Sequence, residues 1–131
     1  STLADNYLLL ATAYLQQHQY SQGRAAALNA ARMKPGDGRP YLLIGDMYAA
    51  SAGDCGDNKL TSKVAFWAAV DKYARARAID PSVESEASQK IATYSAYFPP
   101  IEDIFFYELQ EGDTYTVGCW INETTVIRAH K

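Results

Sequence analysis

Apolar residues recur at helical spacing through the first three quarters of the chain. Tyr7, Leu10, Ala11 and Tyr14 stand at i, i+3, i+4 and i+7, one face of a helix expected over 4–17. Asp5 falls in its first turn, where the helix dipole favours an acid. The polar break Gln16-Gln17-His18 precedes a second helix over 20–33, whose small face is Ala26, Ala27 and Ala30. Pro35-Gly36-Asp37-Gly38 ends it. A third helix over 40–51 carries Pro40 in its first turn and the face Tyr41, Ile44, Gly45, Tyr48. Each of these four follows its counterpart in the first helix by 34 residues, which marks an internal repeat.

A polar stretch over 52–60, AGDCGDNKL, separates the third helix from a fourth. Thr61 or Ser62 is the expected cap of the fourth helix, and Asp80-Pro81 ends it near Ile79. Ala69, Tyr73 and Ala76 form its stripe, and Ala65, Ala68 and Ala69 leave room for a neighbouring helix. A fifth helix over 83–97 opens with Glu84 and Glu86 and breaks at Phe98-Pro99-Pro100. The period then changes. Residues 101–108 allow one or two helical turns, and TYTVGCWI over 114–121 and TTVIRA over 124–129 read as strands joined at Asn122-Glu123. A lone hairpin is marginal in water, so this one is expected to dock through Tyr115, Trp120 and Ile127.

The length of 131 residues fits a single core, and 48% hydrophobic residues exclude a disordered chain. A net charge of −3 and a pI near 5.3 argue against nucleic acid as partner. No apolar run reaches the ~20 residues of a membrane helix, so no span is expected. No secretory leader is visible, and Ser1-Thr2-Leu3 opens almost inside a helix, so a preceding part of the protein is expected.

Candidate chemistry is sparse. His18 lies in a turn and His130 beside the last residue, both read as solvated. No catalytic triad, phosphate loop, zinc-protease or dinucleotide motif can be assembled, so no enzyme and no cofactor are expected. Asp54, Asp57 and Asn58 lack the spacing of a calcium loop and read as a polar turn. Glu108, Glu111 and Asp113 read as a solvated acidic loop. Asn122-Glu123-Thr124 matches a glycosylation acceptor, with turn formation as the simpler role of Asn122. Cys55 and Cys119 are the only cysteines. A bridge closing this long loop would contribute roughly 4 kcal/mol by chain entropy. Two separate thiols and a redox pair are the alternatives, the last without C-x-x-C spacing or a flanking cation. A bridge would point to an oxidising compartment.

The 34-residue period, small residues and terminal prolines resemble tetratricopeptide repeats. Tyr7, Leu10, Ala11, Tyr14, Ala27, Ala30 and Pro35 match a first unit, although Gly23 and Ala27 replace the usual alanine and aromatic. Tyr41, Ile44, Gly45, Tyr48, Ala69, Tyr73, Ala76 and Pro81 match a second. Pro35 and Pro81 are 46 residues apart, which implies a 12-residue insertion between the helices of the second unit. Ala87, Ile91 and Tyr94 begin a third that then departs. The resemblance implies a mainly α right-handed stack of about two and a half helical hairpins over 1–98. A C-terminal extension over 99–131 would cap its open end with the β-hairpin.

It also implies a concave groove that binds a protein or peptide partner, lined by Asp5, Leu8, Thr12 and Leu15 and by Arg39, Leu42, Asp46 and Ala49. The family's Lys, Asn and Arg clamp for a terminal carboxylate is absent: Leu8, Thr12, Leu42 and Asp46 stand in those places. Leu8, Leu15 and Leu42 have a second reading, packing against a neighbouring repeat. YAASAGDCGDN, FWAAVDKYARARAIDPS, IATYSAYFP and EGDTYTVGCWINETT resemble the C-terminal region of envelope tetratricopeptide proteins of anaerobic gut bacteria. That likeness implies an extracytoplasmic, periplasmic or outer-membrane-associated scaffold. A structural end-cap of a larger assembly is the alternative.

Overall fold

The computed structural model describes residues 2–131. They form six α-helices and one antiparallel two-stranded sheet: α1 Leu3–Gln16, α2 Tyr20–Met33, α3 Arg39–Ser51, α4 Ala65–Ile79, α5 Glu84–Ser95, α6 Ile101–Phe106, β1 Thr114–Val117 and β2 Glu123–Val126. The chain is mainly helical, and its strands are confined to the C-terminal part. Consecutive helices from α1 to α5 pack on one another, and α1 also touches α3. Among the described residues no helix is long and apolar enough to cross a membrane.

Local chemistry sets the helix ends. The Thr2 hydroxyl accepts from the Asp5 N–H at 3.1 Å while Asp5 accepts from the Thr2 N–H at 3.4 Å, a reciprocal cap for α1. His18 takes φ 60° in the turn that folds α2 back against α1. The Gly38 N–H donates to the Asp80 carboxylate at 2.8 Å, and Asp80 also accepts from the Ser82 N–H at 3.0 Å. One side chain therefore joins the start of α3 to the end of α4. Fully buried Ala65, Ala68, Ala69 and Ala76 let α4 sit close to its neighbours. Gly45 of α3 lies against the ring of Tyr73 on α4, where a Cβ would collide.

The sequence repeat is not a repeat of burial. Ile44 is 1% exposed, but Leu10, its counterpart 34 residues earlier, is 43% exposed. Ile44 shares a depression with Arg24 and Leu28 of α2, whereas α1 has no earlier described helix to cover the equivalent face.

Four expectations are corrected. Neither Thr61 nor Ser62 caps α4, which starts at Ala65 with no side-chain cap. The Thr61 hydroxyl is engaged in the loop before α4, accepting the N–H groups of Asp57 at 3.0 Å and Asn58 at 3.2 Å. The fifth helix is shorter than 83–97, because Pro81–Val83 forms a separate 3-10 turn and α5 ends at Ser95. The strands are four residues each, paired from Thr114 with Val126 to Val117 with Glu123. Their connection is residues 118–122, so Glu123 belongs to β2 and Cys119 to the loop rather than the first strand. Cys119 and Asn122 take φ 61° and 47° there, which turns the loop away from the ladder and brings Trp120 and Ile121 to the helices.

Finally, the hairpin does not merely close the far end of the helices. It packs on α4 through β2 and reaches back to α2 and α3. Val117, Ile121 and Ile127 enter the core, and Trp67 donates its indole N–H to the Arg128 carbonyl at 2.8 Å. Cys55 and Cys119 form a disulfide with a Cα–Cα distance of 5.5 Å, which ties the loop between α3 and α4 to the hairpin loop.

Candidate functional site

Helices α1 and α3 lie side by side, and two turns of each contribute to a depression of about 430 Å³. Asp5, Leu8 and Thr12 come from α1 at spacings of three and four, so they share a face. Arg39, Leu42 and Asp46 repeat that spacing on α3. Leu9, Leu43 and Glu86 complete the lining. Leu15 and Ala49 lie outside it, half-buried against the core.

The floor is apolar and the polar groups around it mostly satisfy one another. Leu8 and Leu42 are buried, whereas Leu9 is 67% exposed at the rim. The Thr12 hydroxyl donates to the Leu8 carbonyl at 2.9 Å within its own helix. Arg39 meets Asp5 at 3.3 Å and grips Asp37 with Nε at 3.0 Å and Nη2 at 2.7 Å. Burial pushes the Asp37 carboxyl upward, but these bonds outweigh it and hold the group below the usual carboxylate value. The Thr2 N–H and hydroxyl, aided by Arg39, hold Asp5 low as well. Asp46 accepts from Tyr73 Oη at 2.6 Å and from Lys90 Nζ at 2.9 Å. Burial, with the negative charge of Asp46 added, pushes the Tyr73 phenol far above its usual value, so it stays a donor. Glu86 alone of the lining charges forms no ion pair among the described residues.

A second constellation was not visible in the sequence. Arg24 of α2 donates to the Tyr48 hydroxyl at 2.9 Å and to the carbonyls of Ile121 and Trp120 at 2.8 and 3.0 Å. Its guanidinium also lies 4.8 Å from the centroid of a Trp120 ring. Tyr48 donates to Glu123, which pairs with Lys72 of α4, and the Trp120 indole donates to Ser51 at 2.9 Å. Burial first, then the bond to Glu123, raises the Tyr48 phenol well above its ordinary value. These groups are mutually satisfied, so the constellation acts as a clasp that seats the hairpin. Arg24 and Ile121 are 97 residues apart, and no local pattern links them.

The loop residues take ordinary roles. The Asn58 carboxamide oxygen accepts from the N–H groups of Leu60 and Thr61 at 2.9 and 2.8 Å, which is turn geometry. His18 stacks on Tyr20, and the His130 N–H donates to the Pro99 carbonyl. No protein family, curated protein or solved structure matches the chain.

Proposed function

We propose that the chain is a non-catalytic interaction scaffold of tetratricopeptide type, working outside the cytoplasm, whose α1–α3 groove holds a segment of a partner protein. The groove itself carries this reading: an apolar floor of Leu8 and Leu42, a free Leu9, and rim charges already neutralised except at Glu86. Such a surface suits an amphipathic segment with apolar side chains inward and one cation toward Glu86. The Cys55–Cys119 bridge supports the oxidising location.

A photo-crosslinking residue at position 9 tests the reading in envelope extract, with one at Leu28 on α2 as control. Adduct formation at position 9 alone, reduced by Glu86→Lys, is the expected result. Equal labelling at both positions, or none, would reject the groove. The alternative is a structural end-piece of a larger repeat assembly. Leu3 and Leu10, exposed seven residues apart on one face of α1, favour it. A further helix of the same polypeptide covering that face would be its signature.

A further inference from the structure

Phe105 and Phe106, the most exposed large hydrophobic side chains among the described residues, lie away from the groove on α6. Ile101 and Phe105 are four residues apart and share a face of this short helix, while Ile104 is fully buried on its inner side. Phe105 is 78% exposed and Ile101 41%. Both border a depression of about 690 Å³, with Leu109 and Ile127 beneath. Its remaining lining includes Glu108, Glu111 and Asp113, and no lining residue is a Lys, Arg or His.

The surface is held in shape. The Gly112 N–H donates to the Ile127 carbonyl and the Ile127 N–H to the Asp113 carbonyl, each at 2.9 Å. Glu111 accepts from the Ala129 N–H at 2.9 Å, whereas Glu108 and Asp113 form no ion pair among the described residues. An apolar ledge is therefore framed by uncompensated carboxylates. Anionic lipid would meet these carboxylates at the same moment as Phe105 entered the bilayer. A basic protein segment meets both features favourably.

We infer that the α6 ledge docks a protein segment in which a Leu or Phe anchor is flanked by Lys or Arg. The anchor lies against Ile101 and Phe105, and the cations face Glu108 and Asp113. This inference does not depend on the α1–α3 groove.

The probe is the capped octapeptide Gly-Lys-Arg-Leu-Phe-Arg-Lys-Gly, with a counterpart carrying glutamate at the four cationic positions, titrated calorimetrically into the full chain. The basic peptide is expected to bind about tenfold or more tighter at low salt, with the preference shrinking in about 300 mM salt. Phe105→Ser, and separately Glu108→Gln with Asp113→Asn, should each weaken it about fivefold or more while the far-ultraviolet circular dichroism is unchanged. Leu9→Lys in the groove should leave binding intact. No binding up to about 1 mM peptide, or equal affinity for the acidic counterpart, overturns the inference. Loss of binding in Leu9→Lys alone overturns it too, by moving the site to the groove. Flotation with anionic vesicles that requires Phe105, or self-association abolished by Phe105→Ser, would replace the basic segment with a membrane or a second copy.

Discussion

Gly45 sits against the face of Tyr73 so closely that even a methyl group at that position would strike the ring. The contact joins α3 to α4, and the same tyrosine reaches past it to Asp46. Gly45→Ala gains about 1 kcal/mol of helix propensity but overpacks a fully buried ring, a cost of about 1–3 kcal/mol. A net loss of stability is expected in urea denaturation. In a Tyr73→Leu background the collision is gone, and Gly45→Ala should become neutral or stabilising. Strict additivity of the two changes would mean the ring yields and the contact sets nothing.

Arg24 has three acceptors, two of them carbonyls of the hairpin loop. Arg24→Met keeps the stem and removes the donors, so a loss of about 1.5–3 kcal/mol is expected. Arg24→Lys should recover only a small part, because a single ammonium cannot span these acceptors as the planar fork does. Hydrogen exchange locates the effect: amides of β1 and β2 should lose protection before those of α1.

Reduction of the Cys55–Cys119 bridge is expected to lower stability by about 2–4 kcal/mol without unfolding the chain at room temperature. The clasp around Trp120 holds the hairpin independently of the sulfur bond. Paired Cys55→Ser and Cys119→Ser substitutions should show the same loss with an unchanged helical spectrum. Equal denaturant midpoints with and without reductant would show that the bridge constrains nothing.

Asp37 and Asp80 bind protons less readily in the folded chain than the ordinary value of 3.8. For Asp80 the first cause is the Gly38 N–H, with the Ser82 hydroxyl next. A lowered folded value means that the unfolded chain takes up protons first as pH falls. Their contribution is complete above the unfolded value and disappears as pH falls through the folded values, so denaturant midpoints should drop below about pH 4. Asp80→Asn should flatten that part of the profile and cost stability at neutral pH. An unchanged acid limb would remove Asp80 from the account.

Helix periodicity was legible because each helix carries its own pattern of contacts within a few residues. The bounds of α2 follow from the small face before Pro35, whereas β-branched residues mark the place of β1 and β2 but not their four-residue extents. Asn122 turns the chain at φ 47°, but the connection reaches back to Gly118 because Trp120 and Ile121 bind the helices, which turn propensity does not show. Thr61 looks like a cap in the sequence, yet its oxygen serves two loop amides that only the folded loop before α4 presents. The repeat resemblance groups Asp5, Leu8, Thr12, Arg39, Leu42 and Asp46, but it also includes Leu15 and Ala49, which the depression leaves out, and it does not show that Arg39 is committed to Asp37 and Asp46 to Lys90. The role of Arg24 is illegible for the plainest reason: its hairpin partners, Trp120 and Ile121, lie most of a chain length away.

That distance also governs the order of assembly. Helical hairpins added in a row touch only their neighbours, and such a row unravels from either end in separate steps. Here the last folded element of the described chain returns to α2, so the linear array is closed into a loop of mutual dependence. The early helices can form from local contacts, and the return of the hairpin loop to α2 adds long-range bonds that tie them to the end of the chain. A single cooperative transition, with α2 and β2 protected to the same degree, is the mark this closure leaves on the energy landscape.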